Sequence, residues 1–232
     1  MIEAIGLDAD DTLWENESFF RLTEAEFCAL LADHGAAEDI ITRLFDVERA
    51  NLRRYGYGIK GFMLSMVETA IELTDGAVDG RTIGRILDLG REMLAHPVDL
   101  LPGVEAALDA LEGRRLILIT KGDLMDQERK IAASGLAERF AAVEILAEKS
   151  PEAYGRVLWA QGIAPERFLM AGNSMKSDVI PVLELGGWGV FVPHEVTWAA
   201  EHADAPDHPR LREIGRLDEL PGLVERIEGG AA

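Results

Sequence analysis

Apolar residues in this chain fall into two kinds of run. The first kind is short and nearly continuous: Ile2 to Leu7, Leu116 to Ile119, Phe168 to Ala171 and Val190 to Val192, with a weaker run at Val143 to Leu146. Runs of that length with no polar face predict strands of a parallel sheet covered on both sides. Helical spacing separates them. Val104, Ala107, Leu108 and Leu111 mark one helix, and Ile131 to Leu136 closes another, with Gly135 as its stop. Ser150-Pro151 predicts an N-cap followed by a first-turn proline, opening a helix through Tyr154, Val157 and Leu158.

The stretch 15–97 has a different rhythm. Four amphipathic patterns follow one another with no strand among them. Phe20, Phe27 and Leu31 mark the first; Ile41, Leu44, Phe45 and Leu52 the second. Phe62, Met66, Ala70 and Ile71 mark the third, and Ile83, Ile86, Leu87 and Leu94 the fourth. Glycines at Gly56 and Gly58 break the middle of the set. The expectation is an α/β core over 1–15 and 98–232, Rossmann-like, with a helical module over 16–97 inserted after the first strand. Glu15–Asn16 and His96–Pro97 are the expected hinges.

Composition narrows the function. With 232 residues, 48% of them hydrophobic, the chain can fill one sizeable core or a core plus a small second domain. A net charge of −19 repels nucleic acid and anionic membranes. A small anionic substrate remains compatible, because a metal ion and one or two lysines reverse the field locally. Cys28 is the single cysteine, which excludes an intrachain disulfide and suits a reducing compartment. No apolar stretch approaches a membrane span, and the N-terminus lacks a basic region ahead of a long apolar segment. The expectation is a cytoplasmic, soluble protein, monomer or homodimer.

The candidate chemistry sits where the strands end. The first run stops at Asp8-Ala9-Asp10-Asp11-Thr12, so a strand delivers two aspartates at i and i+2, on one side of the pleat. Like charges that close repel unless a cation or a shared proton relieves them. Taken alone, the pair also fits a solvated turn capped by Asp11 or Thr12. The second run ends in Thr120-Lys121-Gly122, the third is followed by Glu148-Lys149-Ser150, and the fourth leads into Gly172-Asn173-Ser174-Met175-Lys176-Ser177-Asp178. In an open parallel sheet, ligands bind beyond these carboxyl ends. Four polar strand ends in succession outweigh the bland reading of any one.

In these motifs the chain resembles the haloacid dehalogenase superfamily over nearly its whole length. Asp8, Asp10 and Thr12 match the first motif, Thr120 the second, Lys149 before Ser150-Pro151 the third, and Gly172 to Asp178 the fourth. The inserted module then corresponds to the family's helical cap. The resemblance implies that Asp8 takes the phosphoryl group as a nucleophile and that Asp10 protonates the leaving alcohol. It implies Mg2+ on the carboxylates of Asp8 and Asp178 and the backbone carbonyl of Asp10, with Thr120 and Lys149 holding phosphate oxygens. Asn173 stands where many members have aspartate, and could still ligate through oxygen or water. Lys121 stands where relatives often carry asparagine, and either adds a phosphate cation or points to solvent.

Asp10 separates activities within that family, since a halide leaving group needs no proton. The expected function is therefore a magnesium-dependent phosphatase acting on a small phosphorylated metabolite. A phosphotransferase or mutase is the alternative; a 2-haloacid dehalogenase or a non-catalytic binding member is a more distant one. Among the remaining polar residues, Asp123 reads as a helix cap, Asp11 as a backbone donor only, and Asp178 as the start of a helix that keeps Pro181 in its first turn. The segment with His194, His202 and His208 lacks the spacing of a zinc helix and reads as a polar loop. Cys28 reads as a buried thiol, and Met63 and Met66 as core. Arg53, Arg54 and Lys60 either reach toward a substrate or are solvated helix ends.

Overall fold

The computed structural model describes residues 1–230. Strand β1 (Ala4–Leu7) leads into four helices, α1 (Glu17–Leu30), α2 (Ala37–Tyr55), α3 (Ile59–Leu73) and α4 (Gly80–Ala95). Then come α5 (Val104–Ala110), β2 (Leu116–Lys121), α6 (Leu124–Ser134), β3 (Ala142–Leu146), α7 (Pro151–Gln161) and β4 (Phe168–Gly172). The chain finishes with α8 (Ile180–Glu184), β5 (Trp188–Phe191), β6 (Leu211–Glu213) and α9 (Leu220–Glu228). Among the described residues, no helix is long and apolar enough to cross a membrane.

The contacts divide the chain into two compact units, one of 1–17, 98–121 and 129–232, the other of 18–97 and 122–128. In the first, six strands form one sheet in the order β3-β2-β1-β4-β5-β6, and every neighbouring pair is parallel. This is the Rossmann-like α/β arrangement that the short apolar runs predict. Alternation in β2 explains the layering: Leu116 and Leu118 enter one core with Leu7, Val104, Leu108 and Leu223, while Ile117 and Ile119 enter the other with Tyr154, Leu158 and Met170. Both faces are dry, which is why the strands carry no polar face. The strand β6 has no such signature; Leu211-Arg212-Glu213 lies at the sheet edge, partly exposed.

The strand order turns back at β1 and β4, the place where a parallel sheet opens a crevice at its carboxyl edge. Register ties the two strand ends together, with Leu7 opposite Ala171 and the Asp8 N–H donating to the Ala171 carbonyl at 3.0 Å.

The second unit is all helical, packed around Phe27, Leu44, Phe62, Met66, Ile86 and Leu89. Met66 is fully buried in this core, with Met63 partly buried against it, and Cys28 is buried there as well. Asp79 caps α4 by accepting the Thr82 N–H at 2.7 Å. The segment 122–128 groups with these helices, whereas the sequence places it with the sheet. The reason is local: Lys60 pairs with Asp123 at 2.8 Å, and Gly58 approaches Asp123 closely enough that a Cβ there would lie 3.4 Å away. Asp123 also caps α6 through the Asp126 N–H, as expected. Arg53 and Arg54 are exposed at the end of α2.

Candidate active site

The turn after β1 is built by its own backbone. The Ala9 carbonyl accepts the N–H groups of Thr12 and Leu13, at 3.2 and 2.7 Å, and Asp11 takes the left-handed conformation with φ of 59°. Aspartate tolerates that region better than most side chains. The Asp11 carboxylate then accepts the N–H groups of Asn16 and Glu17, at 2.9 and 3.0 Å, where α1 begins. Its side chain is structural, an amendment to the reading of Asp11 as a backbone donor alone. Burial raises its carboxyl to about 6 despite those bonds.

Asp8, Lys149 and Asp178 converge although they come from three strand ends. The Lys149 ammonium lies 2.5 Å from Asp8 Oδ1 and 2.6 Å from Asp178 Oδ1, and all three side chains are buried. Lys149 reaches this point because Ser150 caps α7, accepting the Ala153 N–H at 3.3 Å, which turns the chain just after the lysine. Asp178 sits inside a π-helical turn, Met175–Val179, whose N-cap is Ser174; it does not start the helix, as the sequence suggests, but lies within it. Pro181 falls in the first turn of α8 that follows. Asp178 Oδ2 accepts the Ser174 N–H at 2.9 Å. Gly172 makes room for it: a Cβ at that position would stand 2.3 Å from Asp178 Oδ2.

Two buried carboxylates against one ammonium leave excess negative charge. Burial first, then the Asp178 carboxylate, push Asp8 up to about 7. Burial opposes the charge on Lys149, but Asp178 and Asp8 outweigh it and hold the ammonium well above its ordinary range. Thr12 completes the link to the fourth motif, donating to Asp8 Oδ2 at 3.2 Å and accepting the Asn173 N–H at 3.0 Å. With its amide turned to satisfy both ends, Asn173 donates to Asp8 Oδ2 and to the Asp10 carbonyl, each 3.2 Å away. The Asp8 carboxylate, the Asp10 carbonyl and the Asn173 side chain thus crowd around one point. The Asp8 and Asp178 carboxylates and the Asp10 carbonyl are oxygen donors, the donor chemistry of a hard divalent cation, and Asn173 adds a fourth oxygen only with its amide turned the other way. Thr120 is buried at the end of β2.

Asp10 faces other partners. Lys130 on α6 places its ammonium 2.6 and 2.8 Å from the two carboxylate oxygens, and the Trp14 indole N–H donates to Oδ1 at 2.7 Å. Neither partner stands out in the sequence; the available signal is a lysine beside Ile131 on the inward face of α6. Lys121, read as a phosphate cation or a solvated lysine, is engaged elsewhere. It pairs with Glu201 at 2.5 Å and donates to Ser177 Oγ at 2.9 Å. Glu201 also accepts from Ser174 Oγ and Ser177 Oγ, at 2.6 and 2.5 Å. Burial would raise the Glu201 carboxyl, but the Lys121 charge and these donors pull it down to about 2. The polar loop after β5 is thereby tied to the fourth motif. In the same loop, His194 packs its ring nitrogens 3.8 Å from Asp11 and 3.6 Å from Glu15.

Comparison with known proteins identifies the family and the fold. Residues 2–186 match the haloacid dehalogenase-like hydrolase family. A curated relative, N-acylneuraminate-9-phosphatase of Mus musculus, is 25% identical over 197 residues, spanning 80% of this chain and 79% of the relative. The crystal structure of a haloacid dehalogenase-like family hydrolase from Xanthomonas campestris is 44% identical with a TM-score of 0.89, covering 99% of this chain and 93% of that one. L-2-haloacid dehalogenase from Xanthobacter autotrophicus shares the fold at 19% identity and a TM-score of 0.68, over 97% and 99% of the two chains. The family match and the four strand-end motifs lead to one statement: this chain belongs to the haloacid dehalogenase-like hydrolases.

Proposed function

We propose that the protein is a magnesium-dependent phosphatase acting on a small phosphorylated metabolite. The observation that carries this reading over haloacid hydrolysis is the Asp10 carboxylate, two residues beyond Asp8 and held by Lys130 and Trp14. A carboxyl in that position serves an oxygen leaving group, which must gain a proton; a departing halide needs none. The phosphatase name of the mouse relative supports the same side.

In this reading Asp8 attacks phosphorus and the bond to the alcohol oxygen breaks, while Asp10 delivers the proton that the oxygen needs. An aspartyl-phosphate results, and one difficult step becomes two. Asp10, now ionised, takes a proton from a water molecule as that water attacks phosphorus, releasing phosphate and restoring Asp8. Lys149 neutralises the attacking carboxylate and the incoming anion, and Thr120, buried near the end of β2, serves as a hydroxyl donor. Lys121 has its own carboxylate in Glu201, so the phosphate cation of this reading is Lys149. Asp8, Asp178, Asn173 and the Asp10 carbonyl would hold the magnesium ion, which supplies positive charge against the transferring oxygens. The four-helix unit is, in this reading, the cap that selects the leaving group.

The test is a panel of phosphorylated metabolites, and 2-haloacids beside them, given to wild type and to Asp8→Asn with magnesium present. Phosphate release by wild type alone supports the proposal. Halide release without phosphate release, or equal phosphate release by both proteins, overturns it.

A further inference from the structure

The Asp10 carboxylate is gripped from two independent elements. The Trp14 indole arrives from the turn itself, where the Asp11 N–H donates to the Trp14 carbonyl at 2.7 Å and closes a short loop directly after Asp10. The Lys130 ammonium arrives from α6, spans both carboxylate oxygens, and donates to Asn16 Oδ1 at 3.2 Å as well. Trp14 is buried to 1% exposure and Lys130 to 7%, so neither group is a swinging surface side chain. A lysine taken this far out of water needs a fixed acceptor, and the Asp10 carboxyl offers it both oxygens. One indole donor on Oδ1 and one ammonium across both oxygens define the plane of the carboxylate.

We infer that Lys130, assisted by Trp14, is the positioning residue for the proton donor: it sets the direction from which Asp10 meets the leaving-group oxygen. The inference rests on the phosphatase reading. In this reading Lys130 acts through Asp10. Proton delivery requires the donor oxygen within hydrogen-bond reach of its target, and a carboxylate free to rotate loses that register. The requirement scales with the leaving group. An alkoxide must be protonated as it departs, whereas dinitrophenolate departs nearly unaided.

The experiment compares an alkyl phosphate turned over by wild type with 2,4-dinitrophenyl phosphate, on Lys130→Met, Asp10→Asn and the double variant, all with magnesium. For Lys130→Met, kcat on the alkyl ester is expected to fall about 30-fold or more and kcat on the dinitrophenyl ester less than about 3-fold, with KM little changed. The double variant is expected to be no slower on the alkyl ester than Asp10→Asn alone, since the two changes remove one function. Trp14→Phe, which deletes only the indole donor, is expected to show the same leaving-group split in smaller measure; it replaces Lys130→Met in the comparison if that protein does not fold. Equal losses on both esters, or multiplicative losses in the double variant, overturn the inference while leaving the phosphatase reading intact. Absence of phosphate release from every ester by wild type removes both.

Discussion

Gly172 and Asp178 share one space: the carboxylate of the second fills the volume that a side chain on the first would occupy, with Oδ2 only 2.3 Å from the hypothetical Cβ. The glycine is here for close approach and not for backbone freedom, since its φ is not positive. Gly172→Ala must therefore push Asp178 away from Lys149 and from the Ser174 N–H. The expected outcome is a folded protein whose magnesium affinity falls at least about tenfold, because one ligand carboxylate is displaced. Magnesium titration by calorimetry checks it, and an unchanged affinity shows that Asp178 does not hold the ion.

Asp8 gives the metal-free protein a definite pH dependence. The folded carboxyl takes up its proton near pH 7, against an ordinary value of 3.8 for the unfolded chain. Between those values the fold keeps a proton that the unfolded chain has released, so the stability contributed by this group is whole below about pH 4 and declines as pH rises toward 7. Asp8→Asn removes the decline. In chelator at pH 8 the variant is expected to be more stable than wild type by about 2 kcal/mol, roughly 6 °C in melting temperature. The difference should close near pH 4. Thermal melts across that range decide, and identical curves at pH 8 would refute the burial argument.

Asn173 stands 3.2 Å from both Asp8 Oδ2 and the Asp10 carbonyl, so a charge placed there acts directly on the proposed ion. Asn173→Asp adds a third carboxylate to a group already rich in negative charge. Without metal it is expected to lower the melting temperature, by like-charge repulsion in a buried site. With magnesium the same charge becomes an attraction, and the dissociation constant is expected to drop about tenfold. Paired melts and titrations test both halves; a variant that binds magnesium no better than wild type places Asn173 outside the coordination sphere.

The sheet and the centre of the site were legible in the sequence for the same physical reason. Strands buried on both faces must be apolar throughout, so Leu116 to Ile119 and Phe168 to Ala171 announce themselves, and a parallel sheet brings their ends to one edge. Strand order then brings the segments of Asp8, Lys149 and Asp178 to that edge, and the family resemblance singled out those three residues. The strand β6 was invisible because a three-residue edge strand with one apolar residue carries no period. Lys130 and Glu201 were invisible for another reason: they meet Asp10 and Lys121 across 120 and 80 residues, and an ion pair leaves no mark on local patterning. The π-helical turn that seats Asp178 was also unreadable, since its capping serine looks the same as one ahead of an α-helix.

Glu201 makes one of those unseen links. Its carboxyl falls from an ordinary 4.5 to about 2 because Lys121 and two serine hydroxyls favour the ionised form. The fold therefore binds fewer protons than the unfolded chain between pH 4.5 and pH 2, and the stability from this group, complete above about pH 4.5, is lost as pH falls through that window. Glu201→Gln leaves the half-buried Lys121 ammonium without that charge and is expected to destabilise the protein by about 2 kcal/mol at pH 7. At pH 2 the penalty should shrink, because wild type has by then surrendered much of the same interaction. Adding Lys121→Met to Glu201→Gln should recover part of the loss, since the cation that has lost its nearest carboxylate is removed. Urea titrations at the two pH values measure all three effects, and equal stability of wild type and Glu201→Gln at pH 7 would show that the loop after β5 is not held by this pair.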